Sequence, residues 1–139
     1  MAPPDVNHVG CSKTVDAIVK SLKWLIPFCF GLAAGCAIAW IDNVAFQGEV
    51  SPIVIVVILF IAAFIAMLVW GRQGWVAAAA TWVLVPSAHL AKHILGMSDT
   101  LHPNTYTSIA KLAAFTLFIT AFGAAAGFMI HIHNPPSEW

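Results

Sequence analysis

Charged side chains are scarce in this sequence. Lysine, arginine, aspartate and glutamate make up 9% of the 139 residues, and 60% of the residues are hydrophobic. Soluble domains usually carry about 25% charged residues. Because water cannot solvate a surface so poor in charge, the composition excludes an ordinary soluble domain. The formal net charge is zero, so we expect no nucleic-acid partner.

Carboxylates and catalytic motifs are missing from the apolar parts of the chain. No aspartate or glutamate lies in the middle of a long apolar run, whereas proton- and cation-coupled carriers usually have one there. There is no glycine-rich phosphate loop, HExxH motif or Ser/His/Asp arrangement. The three cysteines form no CxxC pair. We therefore predict that the chain is not an enzyme by itself, although it could belong to an enzyme complex.

Long apolar runs are what the sequence has in place of charge. Mean hydropathy is +0.88, and each of four runs is close to the roughly 20 residues that cross about 30 Å of hydrocarbon. The pattern predicts an all-α fold, an integral membrane bundle of four transmembrane helices over residues 24–133. The predicted spans are 24–42, 51–70, 73–95 and 105–131, followed by a short tail at 134–139.

The N-terminal 23 residues have a different pattern. Residues 1–23 predict an arm followed by a short amphipathic helix, because apolar residues between 15 and 22 recur at i, i+3, i+4 and i+7. Such a helix lies in the headgroup plane. The alternative is that these residues are the first turns of one long first helix. Pro27 is where a bend would separate the two segments.

Basic residues give the expected orientation of the four spans. Lys13, Lys20, Lys23 and Arg72 fall on the side that also holds both termini. Loops rich in lysine and arginine stay in the cytoplasm. We expect both termini on the cytoplasmic side, or its organellar equivalent, of a bacterial or organellar inner membrane.

Small residues predict where the helices pack. Gly31 and Gly35 form a GxxxG pair in the first span, and Gly123 and Gly127 form another in the fourth. Small residues allow the close approach that holds helices together in lipid. The second span opens with a run of bulky residues, IVIVVILF. We expect that span to face lipid or a larger neighbour.

Histidines are the only plausible reactive group. His89 and His93 are four residues apart at the end of the third span, and His102 follows in the next loop. Two histidines at i and i+4 project from one helix face, and all three could bind zinc or copper. His89 or His93 could instead hold haem or chlorophyll. Asp99 and Ser87 are the predicted hydrogen-bond partners of these rings. The alternative is that the rings only sit among lipid headgroups.

Three functions remain open at this point. We expect a small non-catalytic subunit of a larger membrane complex, of an energy-converting or secretion type, that stabilises or anchors other membrane subunits. A hetero-complex is expected before a homo-oligomer. The first alternative is a haem-, chlorophyll- or metal-binding subunit of an electron-transfer or light-harvesting complex, using His89 and His93. The second is a small oligomeric channel or transporter.

Overall fold

The computed structural model describes residues 8–43, 52–99 and 101–134, and this part of the chain is all-helical. Four α-helices follow one another: α1 (His8–Asn43), α2 (Pro52–Trp70), α3 (Gly74–Leu95) and α4 (Tyr106–His133). A short 3-10 turn, Gly71–Gln73, joins α2 to α3. Thr105 caps α4 by accepting a 3.2 Å hydrogen bond from the Ser108 amide. The all-α prediction is therefore confirmed.

Three helical segments of the described chain are long and apolar enough to cross a membrane: Asp16–Asp42, Pro52–Leu95 and Tyr106–His133. The predicted number of four is not matched, because α2 and α3 are separated only by the 3-10 turn and together count as one segment of 44 residues. That segment is not straight. Ala63 of α2 and Ala78 of α3 belong to one buried cluster, and a straight helix would hold them about 22 Å apart. The segment is a helical hairpin, which turns where Gly71 adopts a φ of +51°.

The closest helix pairs are parallel pairs, α1 with α3 and α2 with α4. Ile38 of α1 packs in one cluster with Val85 of α3 and with Leu59 of α2. Trp82 of α3 donates a 3.0 Å hydrogen bond to the carbonyl of Ala113 in α4. Chain direction thus alternates from each helix to the next. The bundle has one end at the 3-10 turn and another where α1 and α3 finish.

Glycines on α1 lie against α3. A Cβ added to Gly31 would overlap the backbone carbonyl oxygen of Ala77, and one added to Gly35 would lie 2.7 Å from Cδ1 of Leu84. The Thr81 hydroxyl, buried at this crossing, donates to the carbonyl oxygens of Gly31 at 3.1 Å and of Ala77 at 2.9 Å. Small residues here allow backbone-to-backbone contact and a hydrogen bond between helices.

Glycines on α4 lie against α2 in the same way. A Cβ at Gly123 would lie 2.6 Å from the carbonyl oxygen of Phe60, and one at Gly127 would overlap that of Phe64. Further along this pair, His131 donates from Nδ1 to the carbonyl oxygen of Leu68 at 2.9 Å. All four predicted glycines therefore stand at contacts between helices of the same chain.

Helix α2 has a face buried inside the bundle, which corrects the expectation that this span faces lipid or a larger neighbour. Ile55, Leu59, Ala63 and Met67 are buried at intervals of four residues, whereas residues 53, 57, 61 and 65 of the same helix are exposed. Bulky apolar residues suit lipid and a helix interface equally well. The run of valine and isoleucine therefore does not indicate which face of α2 is buried. The small residue Ala63 marks it.

Helix α1 is continuous, so the separate amphipathic helix predicted before Pro27 is not observed. The helix runs from His8 through Pro27 to Asn43. Proline removes one backbone hydrogen bond but is tolerated where neighbouring helices support the chain, and Pro27 is the first buried residue of α1 whose side chain is described. The predicted arm at 1–7 lies outside the described residues, as does the tail beyond Asn134.

Candidate functional site

A buried histidine at the end of α3 lies between two carboxylates. Nδ1 of His89 is 2.9 Å from both carboxylate oxygens of Asp99, and Nε2 is 3.2 Å from Oδ2 of Asp42. Nζ of Lys92 is 3.7 Å from Oδ1 of Asp99. His89 is 5% exposed and the Asp99 side chain 1%. We call these four residues the His89 cluster.

Two local features of the chain bring the His89 cluster together. Because α1 and α3 are parallel, the last turn of α1 places Asp42 beside His89. Gly96 then ends α3 in the left-handed region, with a φ of +65°. The Met97 amide donates to the Lys92 carbonyl at 3.0 Å, which is the bond of a Schellman motif. This turn reverses the chain, so Asp99 comes back onto the ring.

The geometry limits where protons can be in the His89 cluster. A carboxylate only accepts hydrogen bonds, whereas a neutral imidazole has one N–H and one bare nitrogen. With a carboxylate facing each nitrogen, the ring is satisfied when both nitrogens carry a proton. If the ring is neutral, one of the two carboxyl groups must carry a proton and donate it to the bare ring nitrogen. In the first case an imidazolium and Lys92 provide two positive charges that pair with the two carboxylates. Buried charges are tolerated when they are paired in this way.

A cavity of ≈ 370 Å³ opens next to the His89 cluster. Asp42, His89 and Thr116 are the polar residues of its lining, and apolar side chains from α2, α3, α4 and the loop before α4 form the rest. Pockets of about 300–1,000 Å³ with apolar walls and a few polar groups are typical of small-molecule sites. The cavity and the His89 cluster together are the candidate functional site.

The other predicted site residues lie apart from His89. The ring of His93 packs edge-on against Tyr106, with the ring centroids 4.4 Å apart. His102 is exposed in the loop before α4. Asp99, one of two predicted partners, holds His89, whereas the Ser87 hydroxyl donates to the Val83 carbonyl oxygen at 2.6 Å.

The structure does not bring His89, His93 and His102 together as one ligand set. Across the described ranges, with their gaps at 44–51 and 100, no group of three or more histidine, cysteine, aspartate or glutamate side chains is arranged to hold a metal ion. Both nitrogens of His89 face carboxylates, so either would have to leave its partner before it could bind a metal or haem.

Asp42 is the site residue that sequence reasoning missed. It stands at the end of the first apolar run, where a carboxylate normally meets headgroups and water. The available signal was the shared membrane side of Asp42, His89 and Asp99 in a four-span order. What the sequence could not supply was that α1 packs beside α3 and in which register.

No protein-family model, curated protein or solved structure matches this chain.

Proposed function

We propose that the chain crosses the membrane four times, with both termini on the cytoplasmic side. Helices α2, α3 and α4 have 19, 22 and 28 residues, or about 29, 33 and 42 Å. Each matches or exceeds the roughly 30 Å of hydrocarbon. Arg72 lies in the turn at one end and the His89 cluster at the other. A hairpin of α2 and α3 keeps both sets of charges near the interfaces.

Cysteine labelling tests this topology. In a background without the native cysteines, Arg72→Cys should react with an impermeant maleimide only from the cytoplasmic side. Met97→Cys, which lies at the exposed loop after α3, should react only from the opposite side. If the 44-residue segment made a single crossing, residue 72 would lie in the hydrocarbon. Arg72→Cys would then remain unlabelled from either side, which would contradict four spans.

We further propose that the protein is a non-catalytic subunit that stabilises or anchors other membrane subunits of a larger complex, of an energy-converting or secretion type. The observation that carries this proposal is the length of α1. Trp24 lines a pocket with Arg72 and Trp75, at the level of the 3-10 turn. Residues 8–23 therefore extend α1 past that turn by about 24 Å. We call this part of α1 the overhang.

The overhang has an apolar face that no other described part of the chain covers. Every side chain from 16 to 26 is exposed, including Ile18 at 61% and Leu22 at 50%. Lys20 lies on the opposite face of the helix. Most of the stability of helices in proteins comes from tertiary packing of an amphipathic face. A helix from another subunit, packed against Ile18 and Leu22, would supply this packing and leave Lys20 in water.

Disrupting the overhang should release the partner subunits. We expect the double variant Ile18→Glu/Leu22→Glu to lose most co-purifying protein, at least tenfold by native mass spectrometry, because carboxylates cannot be buried unpaired. Lys20→Glu is the matched control, and it should retain the complex. Circular dichroism should show equal helix content in all three proteins. A wild-type protein found only as a monomer or homo-oligomer would contradict the proposal.

A cofactor-binding subunit has less support from the geometry. His93 is the better candidate ligand of the two. Carboxylates hold both ring nitrogens of His89, whereas the contact of His93 is an edge-on packing of its ring against Tyr106. A visible spectrum and metal analysis of wild type and His93→Ala would reveal haem, chlorophyll or metal.

A further inference from the structure

We propose that the cavity beside the His89 cluster binds a neutral, lipid-soluble molecule whose hydroxyl head group donates a hydrogen bond to Asp42. The proposal rests on the apolar walls of the cavity and on the hydrogen-bond acceptors among its lining residues. It does not depend on the subunit role or on the overhang, which lies at the opposite end of the bundle.

The walls of the cavity select an apolar body. Ile55, Val85 and Leu112 line it, and a volume of ≈ 370 Å³ is large enough for a ring with a short chain. Phe115, also in the wall, is 53% exposed, so this wall of the cavity reaches the outer surface of the bundle. In a membrane that surface meets hydrocarbon. A ligand dissolved in the bilayer could therefore enter sideways, without passing through water.

The polar residues that line the cavity favour a ligand head group that donates a hydrogen bond over one that accepts it. The Thr116 hydroxyl already donates to the carbonyl oxygens of Leu112 at 2.8 Å and Ala113 at 3.2 Å. The His89 ring directs its nitrogens at Asp42 and Asp99. Among the lining side chains that the structure describes, acceptor oxygens of Asp42 and Thr116 therefore face a ligand. A carboxylate has about four lone-pair sites, so Asp42 can accept from His89 and from a ligand together.

Entry from the bilayer favours a neutral head group over an ion, because a charge is costly to move into an apolar medium. An anionic head group beside Asp42 would also be repelled. A hydroxyl brings no charge. Its hydrogen bond to a carboxylate is of the charge-assisted kind, which is stronger than a neutral one.

Binding of 4-octylphenol to the full-length protein in nanodiscs tests the proposal. This probe has a ring, an apolar tail and one neutral donor. We expect saturable binding by titration calorimetry. Octylbenzene, which lacks the hydroxyl, should bind at least about tenfold more weakly, as expected for the loss of one hydrogen bond to a charged group.

Two variants on adjacent residues of α2 locate the site. Val56 lines the cavity, whereas Val57 projects about 100° away around the helix and is exposed. Val56→Phe should fill the cavity and abolish 4-octylphenol binding, and Val57→Phe should bind like wild type. Thermal unfolding of both variants checks that each is folded. If Val56→Phe does not fold, Val56→Leu, which narrows the cavity by one methylene, should still weaken binding several-fold relative to Val57→Leu.

Three results would overturn the proposal. Equal affinities for the phenol and octylbenzene would indicate simple partitioning into lipid. Equal binding by Val56→Phe and Val57→Phe would place the probe elsewhere. Tighter binding of octylamine or octanoate than of the phenol would assign the cavity to an ionic ligand. None of these results bears on whether Ile18→Glu/Leu22→Glu releases partner subunits, so the two proposals fail separately.

Discussion

Replacing Asp99 by alanine is expected to lower the free energy of unfolding by about 3–5 kcal/mol, the usual cost of removing one partner of a buried ion pair. The Asp99 side chain is 1% exposed and contacts both His89 and Lys92. Its loss leaves Nδ1 of His89 without this acceptor and removes one carboxylate from beside the Lys92 ammonium group. The loop that Gly96 turns back onto α3 would also lose its attachment. Unfolding in mixed micelles, followed by circular dichroism, measures the change.

Two comparisons separate burial from charge at this cluster. Asp42→Ala should cost less than Asp99→Ala, because the Asp42 side chain is 18% exposed and water can replace it. Replacing His89, Lys92, Asp42 and Asp99 together by leucine or methionine should restore much of the stability, since a buried ion network is often no more stable than apolar packing. Equal losses from the two alanine variants would contradict the burial argument.

Replacing Gly127 by leucine is expected to cost about 3 kcal/mol or more, at the upper end of overpacking effects. A Cβ at this position already overlaps the carbonyl oxygen of Phe64, and the Met67 Cβ lies 3.1 Å away. A backbone carbonyl cannot rotate aside as a side chain can. Relief therefore requires α4 to move away from α2 along their closest contact. The same unfolding assay measures the loss.

Val57→Leu is the matched control for Gly127→Leu. Val57 is 47% exposed on α2, so an added methylene there meets lipid and should change stability by less than about 0.5 kcal/mol. Gly127→Ala should fall between the two, because its Cβ makes the overlap without the remaining side chain. A Gly127→Leu protein as stable as Val57→Leu would show that α2 and α4 do not meet at this glycine.

The ends of the helices were easier to predict than which helices and faces pack together. Helices α2, α3 and α4 begin and end within two residues of the predicted spans, because proline, glycine and charge mark the ends of apolar runs. Helix α1 was cut too short at its N-terminal end, since an amphipathic pattern does not distinguish a separate helix from the overhang. The inner face of α2 was missed because valine and isoleucine suit both lipid and packing.

The candidate site was only half predictable. His89 and Asp99 are near in sequence, and the glycine between them signals a turn that brings them together. Asp42 is 47 positions before His89, and nothing local to either residue indicates that they meet. The register of α1 against α3 depends on Gly31 fitting against Ala77. This is a tertiary contact, which local sequence does not indicate. His93 follows His89 on the same helix, but its ring packs against Tyr106 and does not share a ligand with His89.

The parallel pairing of α1 with α3 and of α2 with α4 has a consequence for biogenesis. The first hairpin to leave the ribosome, α1 with α2, contains neither of the two closest pairs. The surface of α1 around Gly31 and Gly35 packs against α3, and the backbone of α2 at Phe60 and Phe64 packs against α4. Both surfaces stay uncovered by their partners until α3 and α4 are inserted. In the four-span topology that we propose, these two pairs can therefore pack only after translation has passed residue 127. A chain stalled between α2 and α3 would present both surfaces to quality-control proteases.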